Sequence, residues 1–341
     1  MKNKEVTIYD IARQLNVSPG TVSRALKGHH SIGPKTTQAV QELAEKLGYQ
    51  PNAIASSLRN SQTNTLGVII PHIHRPFLSA AINGIEQVAN EAGFNVIISQ
   101  SNDSYQKEVA NAQALYASRV DGLLVSLAME TQVYDHFRLF QKKGIPLVFF
   151  DRVSPEIQSG KITVDNFAAA FKATEHLILV GRRRIAHLAG SQVRDIYRDR
   201  LQGYLAALQQ YGLPVEEAYI RHTRLRSEEG FRQTEYLLQL PVPPDAVFAA
   251  NDTTAVSVIQ YAKSQGLVIP DDLAIVGFNN DPIASIIEPA LTTIAQPGFE
   301  MGQLATRQVL QQKEKDKSPV APATICMKTE LIVRQSSVRT R

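Results

Sequence analysis

Small and basic side chains recur at helical spacing in a short N-terminal segment. Gly20, Ser23, Arg24 and Lys27 fall on one face of a helix of 3.6 residues per turn. A guanidinium on such a face can donate two parallel hydrogen bonds, and an ammonium group can hold an anionic oxygen. These residues can therefore bind a negatively charged surface that is rich in hydrogen-bond acceptors.

A second set of polar and aromatic residues lies at or after the ends of apolar runs. Carboxylate and amide groups accept and donate hydrogen bonds, a guanidinium donates two at once, and a ring covers a ligand face. Such a set suits a ligand with several hydroxyl groups, although each member could equally be a satisfied loop residue or a helix cap. The set is Phe77, Asp151, Arg194, Arg200, Asn251 and Asn279.

Sequence signatures of common catalytic sites are missing. The chain has no G-x-S-x-G, no Walker phosphate loop and no H-E-x-x-H. His72 and His74 are spaced like a metal pair, but no third ligand of suitable spacing follows, so a solvated loop is predicted. The sequence therefore predicts neither a catalytic site nor a bound cofactor or metal.

The first 50 residues predict three helices that pack around one apolar cluster. Thr7 is predicted to cap the first helix, with the Asp10 side chain bonding back to the Thr7 backbone. Ser18 is predicted to cap the second helix, with Pro19 in its first turn. The third is predicted over 34–47. The residues predicted to face inward are Ile8, Ile11, Ala12, Leu15, Val17, Val22, Ala25, Leu26, Val40, Leu43, Ala44 and Leu47.

Charge is concentrated in this N-terminal part. Residues 1–60 contain eight Lys or Arg and four Asp or Glu, a formal charge of +4, which equals that of the whole chain. Residues 61–341 carry 28 basic and 28 acidic side chains and are therefore neutral. A basic head on a neutral body is typical of a protein whose head alone meets nucleic acid. The alternative is a small helical domain without such a partner.

Three motifs resemble the lac-repressor (LacI/GalR) family of bacterial transcription regulators. They are TIYDIA from Thr7, VSPGTVSRAL from Val17 and GYQPNAIASSL from Gly48. The resemblance implies that the second helix lies in the DNA major groove, where Arg24 donates two hydrogen bonds to a guanine. It also implies DNA contacts from Thr7, Tyr9, Ser18, Pro19, Gly20, Thr21, Ser23, Lys27, Asn52, Ala55 and Leu58, with little base readout by Pro19 and Gly20.

Residues 51–64 are predicted to form a hinge helix and a linker. Nine residues cannot hold a helix in water unaided, and the resemblance implies that the hinge folds when two copies meet over the minor groove. Leu58 would then wedge between base pairs, which implies a homodimer on a pseudo-palindromic operator. The polar run 60–64 also fits a plain linker.

The remainder of the chain predicts two doubly wound α/β lobes with parallel sheets. Apolar runs at 66–71, 95–100, 122–126 and 146–151 alternate with amphipathic helices, and a second series lies at 184–189, 219–223, 246–250 and 273–278. The predicted lobes comprise 65–164 with 297–322, and 165–296 with 323–341. A further strand is predicted from Cys326 to Val333.

The resemblance also implies a periplasmic-binding-protein-like body with an effector cleft between the lobes. It places Phe77, Asp151, Arg200, Asn251 and Asn279 in that cleft and matches Asp165, Arg194 and Leu225 more loosely. Two positions depart from many relatives. Asn279 stands where aspartate is common, and Leu225 stands where some relatives stack an aromatic ring on a sugar.

The sequence thus predicts a homodimeric, sequence-specific regulator, a repressor controlled by a small polar effector such as a sugar or sugar derivative. A cytoplasmic location is expected, because the N-terminus has no signal-peptide core and Cys326 is the single cysteine. No apolar run approaches the roughly 20 residues of a membrane helix. The competing classes are a carbohydrate-processing enzyme, which would need paired carboxylates, and a sugar-transport protein, which would not need a basic head.

Overall fold

The computed structural model describes residues 6–49, 62–313 and 323–338. The chain divides into two compact units between Thr63 and Asn64, and each unit is described by itself. The DNA contacts predicted for Asn52, Ala55 and Leu58 lie outside the described residues.

The N-terminal unit contains three helices, α1 (Ile8–Gln14), α2 (Pro19–Leu26) and α3 (Pro34–Lys46). The carboxylate of Asp10 accepts the Thr7 N–H at 2.9 Å, which is the bond predicted for the cap of α1. The Oγ of Ser18 accepts the Thr21 N–H at 3.1 Å at the start of α2. These short-range bonds satisfy donors that a helix N-terminus leaves without a partner.

The core of this unit consists of apolar residues from all three helices. Ile11, Val22, Ala25 and Val40 are fully buried. The other inward residues are buried or half-buried in the same cluster, so the predicted inward set is confirmed. A core this small gives modest stability, and the caps therefore matter to the fold.

The larger unit is built on two six-stranded sheets. The first sheet has the order β11-β5-β4-β3-β1-β2 and all its strands are parallel. The second has the order β12-β10-β9-β8-β6-β7, in which only the β12–β10 pair is antiparallel. The strands are β1 (Thr65–Ile70), β2 (Asn95–Gln100), β3 (Gly122–Val125), β4 (Leu147–Phe150), β5 (Gly160–Val164), β6 (Ile185–Ala189), β7 (Ile220–His222), β8 (Ala246–Ala249), β9 (Ala274–Asn279), β10 (Thr292–Ala295), β11 (Thr324–Met327) and β12 (Glu330–Ile332).

Helices cover both faces of each sheet, and each sheet therefore contributes to two apolar clusters. This arrangement explains why the central strands are apolar throughout, and it confirms the predicted pair of doubly wound parallel-sheet lobes. The helices are α4 (Pro76–Glu91), α5 (Tyr105–Ala117), α6 (Asp135–Lys142), α7 (Asn166–Leu179), α8 (Asp195–Gln210), α9 (Ser227–Leu238), α10 (Asp252–Ser264), α11 (Ile283–Ile286) and α12 (Gly298–Lys313).

The C-terminal segment departs from the prediction. The chain forms two strands here, β11 and β12, where one strand from Cys326 to Val333 is expected. β11 pairs with β5, with Thr324 opposite Lys161, so it belongs to the first sheet. β11 therefore does not join the second lobe, to which the prediction assigns 323–341, whereas β12 pairs with β10 in the second sheet. The cause is long-range pairing at a sheet edge, which local apolar patterning does not report.

Helices α4 and α12 lie in very close contact in the first lobe. A Cβ atom added to Gly84 would lie 2.0 Å from the carbonyl oxygen of Phe299, and one added to Gly302 would lie 2.0 Å from that of Ala81. The two glycines thus let the backbones approach. This contact fixes the N-terminus of α4, which carries Phe77, against the start of α12.

Candidate nucleic-acid interface and ligand cavity

The outer face of α2 carries the side chains predicted to meet DNA. Gly20, Arg24 and Lys27 are exposed, and Ser23 is half-buried. The Nε of Arg24 donates to the Gly20 carbonyl at 3.3 Å, so the guanidinium lies along the helix surface beside a position without a side chain. This leaves a basic and accessible helix face.

The other predicted DNA contacts within the described residues surround this face. The ring of Tyr9 is 65% exposed. Thr7 and Ser18 are exposed, while Pro19 and Thr21 are half-buried. The hydroxyl groups of Ser18 and Thr21 lie 2.9 Å apart. All these groups can be reached from solvent, as phosphate and groove contacts require.

One cavity of the larger unit lies where the strands of both sheets end. Its lining follows the carboxyl ends of β1, β2, β3 and β4 in the first sheet and of β6, β7, β8, β9 and β10 in the second. This is the position where open α/β sheets bind ligands. The lining residues are Pro71, His72, Arg75, Phe77, Leu78, Asp103, Met129, Asp151, Arg152, Ile196, Tyr197, Arg200, Arg224, Leu225, Ala250, Asn251, Asn279 and Gln296.

Two residues of the predicted effector set do not line this cavity. Asp165 is exposed, and its carboxylate accepts the Ala168 N–H at 2.8 Å as the cap of α7. Arg194 is buried and donates to the carbonyl oxygen of Thr131. The other six residues all line it, namely Phe77, Asp151, Arg200, Leu225, Asn251 and Asn279.

Asp151 directly follows β4 and has a left-handed backbone, with φ at 59°. Its carboxylate accepts a hydrogen bond from the Ser126 hydroxyl at 3.2 Å. Burial raises the pKa of Asp151, although the charges of Arg152 and Arg200 and the Ser126 bond oppose that rise. The residue therefore provides an acceptor whose negative charge is disfavoured by its surroundings.

Arg200 projects from α8 and is only 2% exposed. Its Nε donates to Asn166 at 2.9 Å and its Nη1 to the Ala250 carbonyl at 2.8 Å. The guanidinium carbon lies 3.6 Å from the centre of the Phe278 ring. Burial lowers the pKa of Arg200 to about 10, which still leaves it charged at neutral pH. The side chain is thus a fixed, desolvated cation.

Asp103 is a residue of the lining that the sequence prediction misses. One carboxylate oxygen lies 2.9 Å from Nε2 of His72, and the other accepts from Nη1 of Arg152 at 2.5 Å and from the Met129 N–H at 3.0 Å. Burial alone would raise the pKa of Asp103, but Arg152 and His72 hold it well below its usual range. Asp103 therefore joins the loops that follow β1, β3 and β4.

Arg152 and Arg75 connect the two lobes beside the cavity. Nη2 of Arg152, after β4, donates to the Tyr197 hydroxyl on α8 at 3.2 Å. Nη1 of Arg75, before α4, donates to the Thr253 hydroxyl on α10 at 3.0 Å. Both bonds join a residue of the first lobe to one of the second, so contacts between the lobes lie beside the cavity.

The two asparagines of the lining already have partners. Asn251 caps α10 by accepting the Thr254 N–H at 2.9 Å, and its amide donates to the Leu225 carbonyl at 3.1 Å. Asn279 accepts from the side-chain amide of Gln296 at 2.8 Å. Asn251 thus fits the alternative of a helix cap and lines the cavity as well.

A buried acidic pair lies behind these asparagines. Asp252 accepts from the Thr293 hydroxyl at 2.6 Å and from the Asp281 N–H at 2.7 Å. Burial raises the pKa of Asp252 to about 7 and that of Asp281 to about 6. Arg75 and the Phe77 N–H, both in the first lobe, act against the rise at Asp281. The pair therefore lies where the second lobe faces Arg75 and Phe77 of the first.

The signal that finds Asp151 would also have found two of the missed residues. Asp103 lies three residues after the end of β2, and Arg152 directly follows Asp151. A search for polar residues just after the end of every strand would therefore have identified both. Tyr197 gives no such signal, because its role depends on a contact with Arg152 across 45 positions of sequence. Among the described residues, no group of three or more His, Cys, Asp or Glu is placed to hold a metal ion.

Comparison with known proteins extends over almost the whole chain. Residues 7–52 match the model of bacterial regulatory proteins, lacI family, and residues 174–337 match a periplasmic binding protein-like domain. Catabolite control protein A of Priestia megaterium is 34% identical over 97% of this chain and 99% of its own length. The transcriptional repressor CytR of Escherichia coli K12 is 34% identical over 97% of this chain and 96% of its own.

Solved structures show the same architecture. The lac repressor dimer bound to operator and the anti-inducer ONPF superposes with a TM-score of 0.88 at 25% identity, covering 98% of this chain and 100% of that one. The transcriptional regulator CelR in its cellobiose complex gives a TM-score of 0.74 at 28% identity, covering 97% and 100%.

A helix-turn-helix unit followed by two parallel-sheet lobes with a strand-end cavity defines a DNA-binding transcription regulator with a ligand-binding body, and not an enzyme. The chain belongs to the lacI family of bacterial regulatory proteins. In the described part of the chain, no helix has the length and apolarity needed to cross a bilayer.

Proposed function

We propose that this protein is an operator-binding repressor whose affinity for DNA is set by a small polar molecule in the strand-end cavity. The observation that carries the proposal is the cavity lining, in which side chains from both lobes converge on one space. A ligand there contacts both lobes at once, so it can favour one lobe arrangement over another. A coupling of about 1–3 kcal/mol is typical of such control.

For the DNA-binding surface, we propose that Arg24 reads a guanine while the surrounding hydroxyl groups hold phosphates. The exposed guanidinium beside the bare Gly20 position supports this role. Pro19 and Gly20 offer no polar side chain to a base edge, so base readout depends mainly on Arg24 and on DNA shape.

The protein is further proposed to act as a homodimer on a pseudo-palindromic operator. The lac repressor, whose dimer is solved on its operator, aligns with this chain over almost its full length. The roles proposed for Asn52, Ala55 and Leu58 at the minor groove concern residues outside the described ones. Because its partner is bacterial operator DNA, the proposed location is the cytoplasm.

The proposed effector is a sugar or sugar derivative. The lining combines carboxylate, amide and guanidinium groups with the ring of Phe77, a combination suited to hydroxyl-rich ligands. The related CelR is solved in a cellobiose complex. Because Asp103 is engaged by Arg152 and His72, the lining does not offer the pair of free carboxylates that glycoside hydrolysis requires.

The proposal can be tested by selecting an operator from random duplex DNA and then measuring affinities by fluorescence anisotropy. Arg24→Ala should weaken binding to the selected operator about 5–150-fold, the range of a bidentate guanine contact of about 1–3 kcal/mol. Arg13→Ala is the matched control, because Arg13 is an exposed arginine on α1 outside the proposed reading face. Equal losses of operator affinity in the two variants would contradict the role of Arg24.

A further inference from the structure

The lining of the strand-end cavity carries a surplus of positive charge. It contains four arginines and two aspartates among eighteen residues, and it contains no lysine or glutamate. The chain beyond residue 60 has equal numbers of basic and acidic side chains, so the surplus is local.

The two aspartates offset only part of this surplus. Asp103 is engaged by Arg152 and His72, so its charge is already used within the lining. Asp151 holds the Ser126 hydroxyl, and burial raises its pKa. Arg152 and Asp103 therefore balance each other, and Asp151 offsets part of the charge of Arg200, which leaves the lining with more arginines than aspartates.

Arg75 is also partly engaged. It donates to the Thr253 hydroxyl, and its charge acts on the carboxylate of Asp281. The two arginines that remain are Arg200 at the buried side of the cavity and Arg224 at its exposed side.

Arg200 and Arg224 have free donors directed at no carboxylate. Within residues 6–49, 62–313 and 323–338, neither forms an ion pair. Nε and Nη1 of Arg200 donate to neutral oxygens, and its Nη2 has no hydrogen-bond partner among those same residues. The side chain of Arg224 likewise has no hydrogen-bond partner in the described chain. The hydrogen-bond partners of Arg200 are thus neutral, while the carboxylates of Asp151 and Asp199 act on its charge without bonding to it.

We propose that the effector of this protein carries a negatively charged group, a phosphate or a carboxylate, which Arg200 and Arg224 hold in the strand-end cavity. The inference rests on the proposed function and narrows the effector to an anionic sugar derivative. Guanidinium groups bind both kinds of anion through charge-assisted, often bidentate hydrogen bonds. Arg200 is the fixed donor, and Arg224 completes the site from the rim.

The test measures melting temperatures of the full-length protein with matched ligands. Ribose is compared with ribose 5-phosphate and ribonate, glucose with glucose 6-phosphate and gluconate, and inorganic phosphate serves as the anion alone. A ligand that binds the native state raises the melting temperature. At least one phosphate or acid should stabilise the protein at concentrations at least tenfold below its neutral parent, and the phosphate and acid arms identify which anion is held.

Variants at the rim test the assignment of residues. Arg224→Gln should weaken binding of the anionic ligand about tenfold and leave the neutral parent unchanged. Arg226→Gln is the matched control, since Arg226 is an exposed arginine two positions away that does not line the cavity. Equal effects of the two variants would overturn the role of Arg224.

The possible ligand results separate this inference from the proposed function. Stabilisation by a neutral sugar equal to that by its phosphate and acid would overturn the anionic assignment while supporting the effector cavity. Stabilisation by none of the anionic ligands would overturn the assignment as well. A bound ligand that leaves operator affinity unchanged would instead contradict the proposed function, whatever its charge.

Discussion

The ion pair between Asp103 and Arg152 permits a quantitative test of how the cavity lining is held together. The two side chains are 25% and 10% exposed, and the charged atoms lie 2.5 Å apart. Removing one partner of a buried pair leaves an uncompensated charge, which costs about 3–5 kcal/mol. Because Asp103 is partly exposed, the expected loss for Asp103→Asn lies near the lower limit, about 3 kcal/mol.

A double-mutant cycle separates the pair from its surroundings. Arg152→Met should cost a similar amount, because Asp103 then loses its main counter-charge. The double variant removes both members of the pair, so its loss should fall below the sum of the single losses by about 2 kcal/mol. The matched control is the exposed pair Arg138–Glu156, at 3.1 Å with side chains 46% and 54% exposed, for which the expected coupling is about 0–1 kcal/mol.

Urea unfolding of the full chain, followed by circular dichroism, supplies the free energies of both cycles. Losses that add within about 0.5 kcal/mol at Asp103 and Arg152 would refute the coupling. The pKa of Asp103 is lowered from 3.8, so the stability it contributes is present above that pH and is lost as the pH falls below it. Asp103→Asn should therefore weaken the acid dependence of the unfolding free energy.

Three further changes test the packing and the buried charges. Gly20→Ala should stabilise the N-terminal unit by about 0.5–1 kcal/mol in calorimetry of the full chain, since the nearest atom to the new Cβ, Oγ of Ser18, lies 3.7 Å away. Gly84→Ala should instead destabilise the larger unit by about 1–3 kcal/mol in urea unfolding, because its Cβ would lie 2.0 Å from a carbonyl oxygen. The pKa of Asp252 is raised to about 7 and that of Asp281 to about 6. The melting temperature should therefore fall as the pH rises from 4 to 7, because only the folded state keeps these protons. A rise in the melting temperature over this range would contradict the assignment.

The N-terminal unit could be predicted from sequence because its determinants are local. The caps at Thr7 and Ser18 act within three residues, and the apolar positions of α1, α2 and α3 repeat at helical spacing. Most strands of the two sheets can be predicted as well, because buried parallel strands are apolar throughout. β5, β10 and β11 are not distinguished by their local pattern and are placed by pairing with their neighbours in the sheet.

The cavity could be predicted only in part. Polar residues at strand ends identify Asp151 and Asn251, because all parallel strands of a sheet end at one edge. The same reasoning does not separate Asp165, which caps a helix away from the cavity, from residues that line it. The contact of Arg152 with Tyr197 joins two lobes, and no local pattern contains that pairing.

The cavity lies beside a segment in which the chain passes from one lobe to the other, and this position explains how a ligand there can act on the lobes. Gln296 lines the cavity and lies where the chain passes from β10 to α12, and it holds Asn279 at the end of β9. Two residues on, a Cβ at Gly298 would lie 2.8 Å from the carbonyl oxygen of Phe77, another lining residue. A molecule that displaces Phe77 or Gln296 therefore moves a segment that joins the lobes. In the proposed mechanism, effector control thus acts through Gln296, a lining residue on a connection between the lobes.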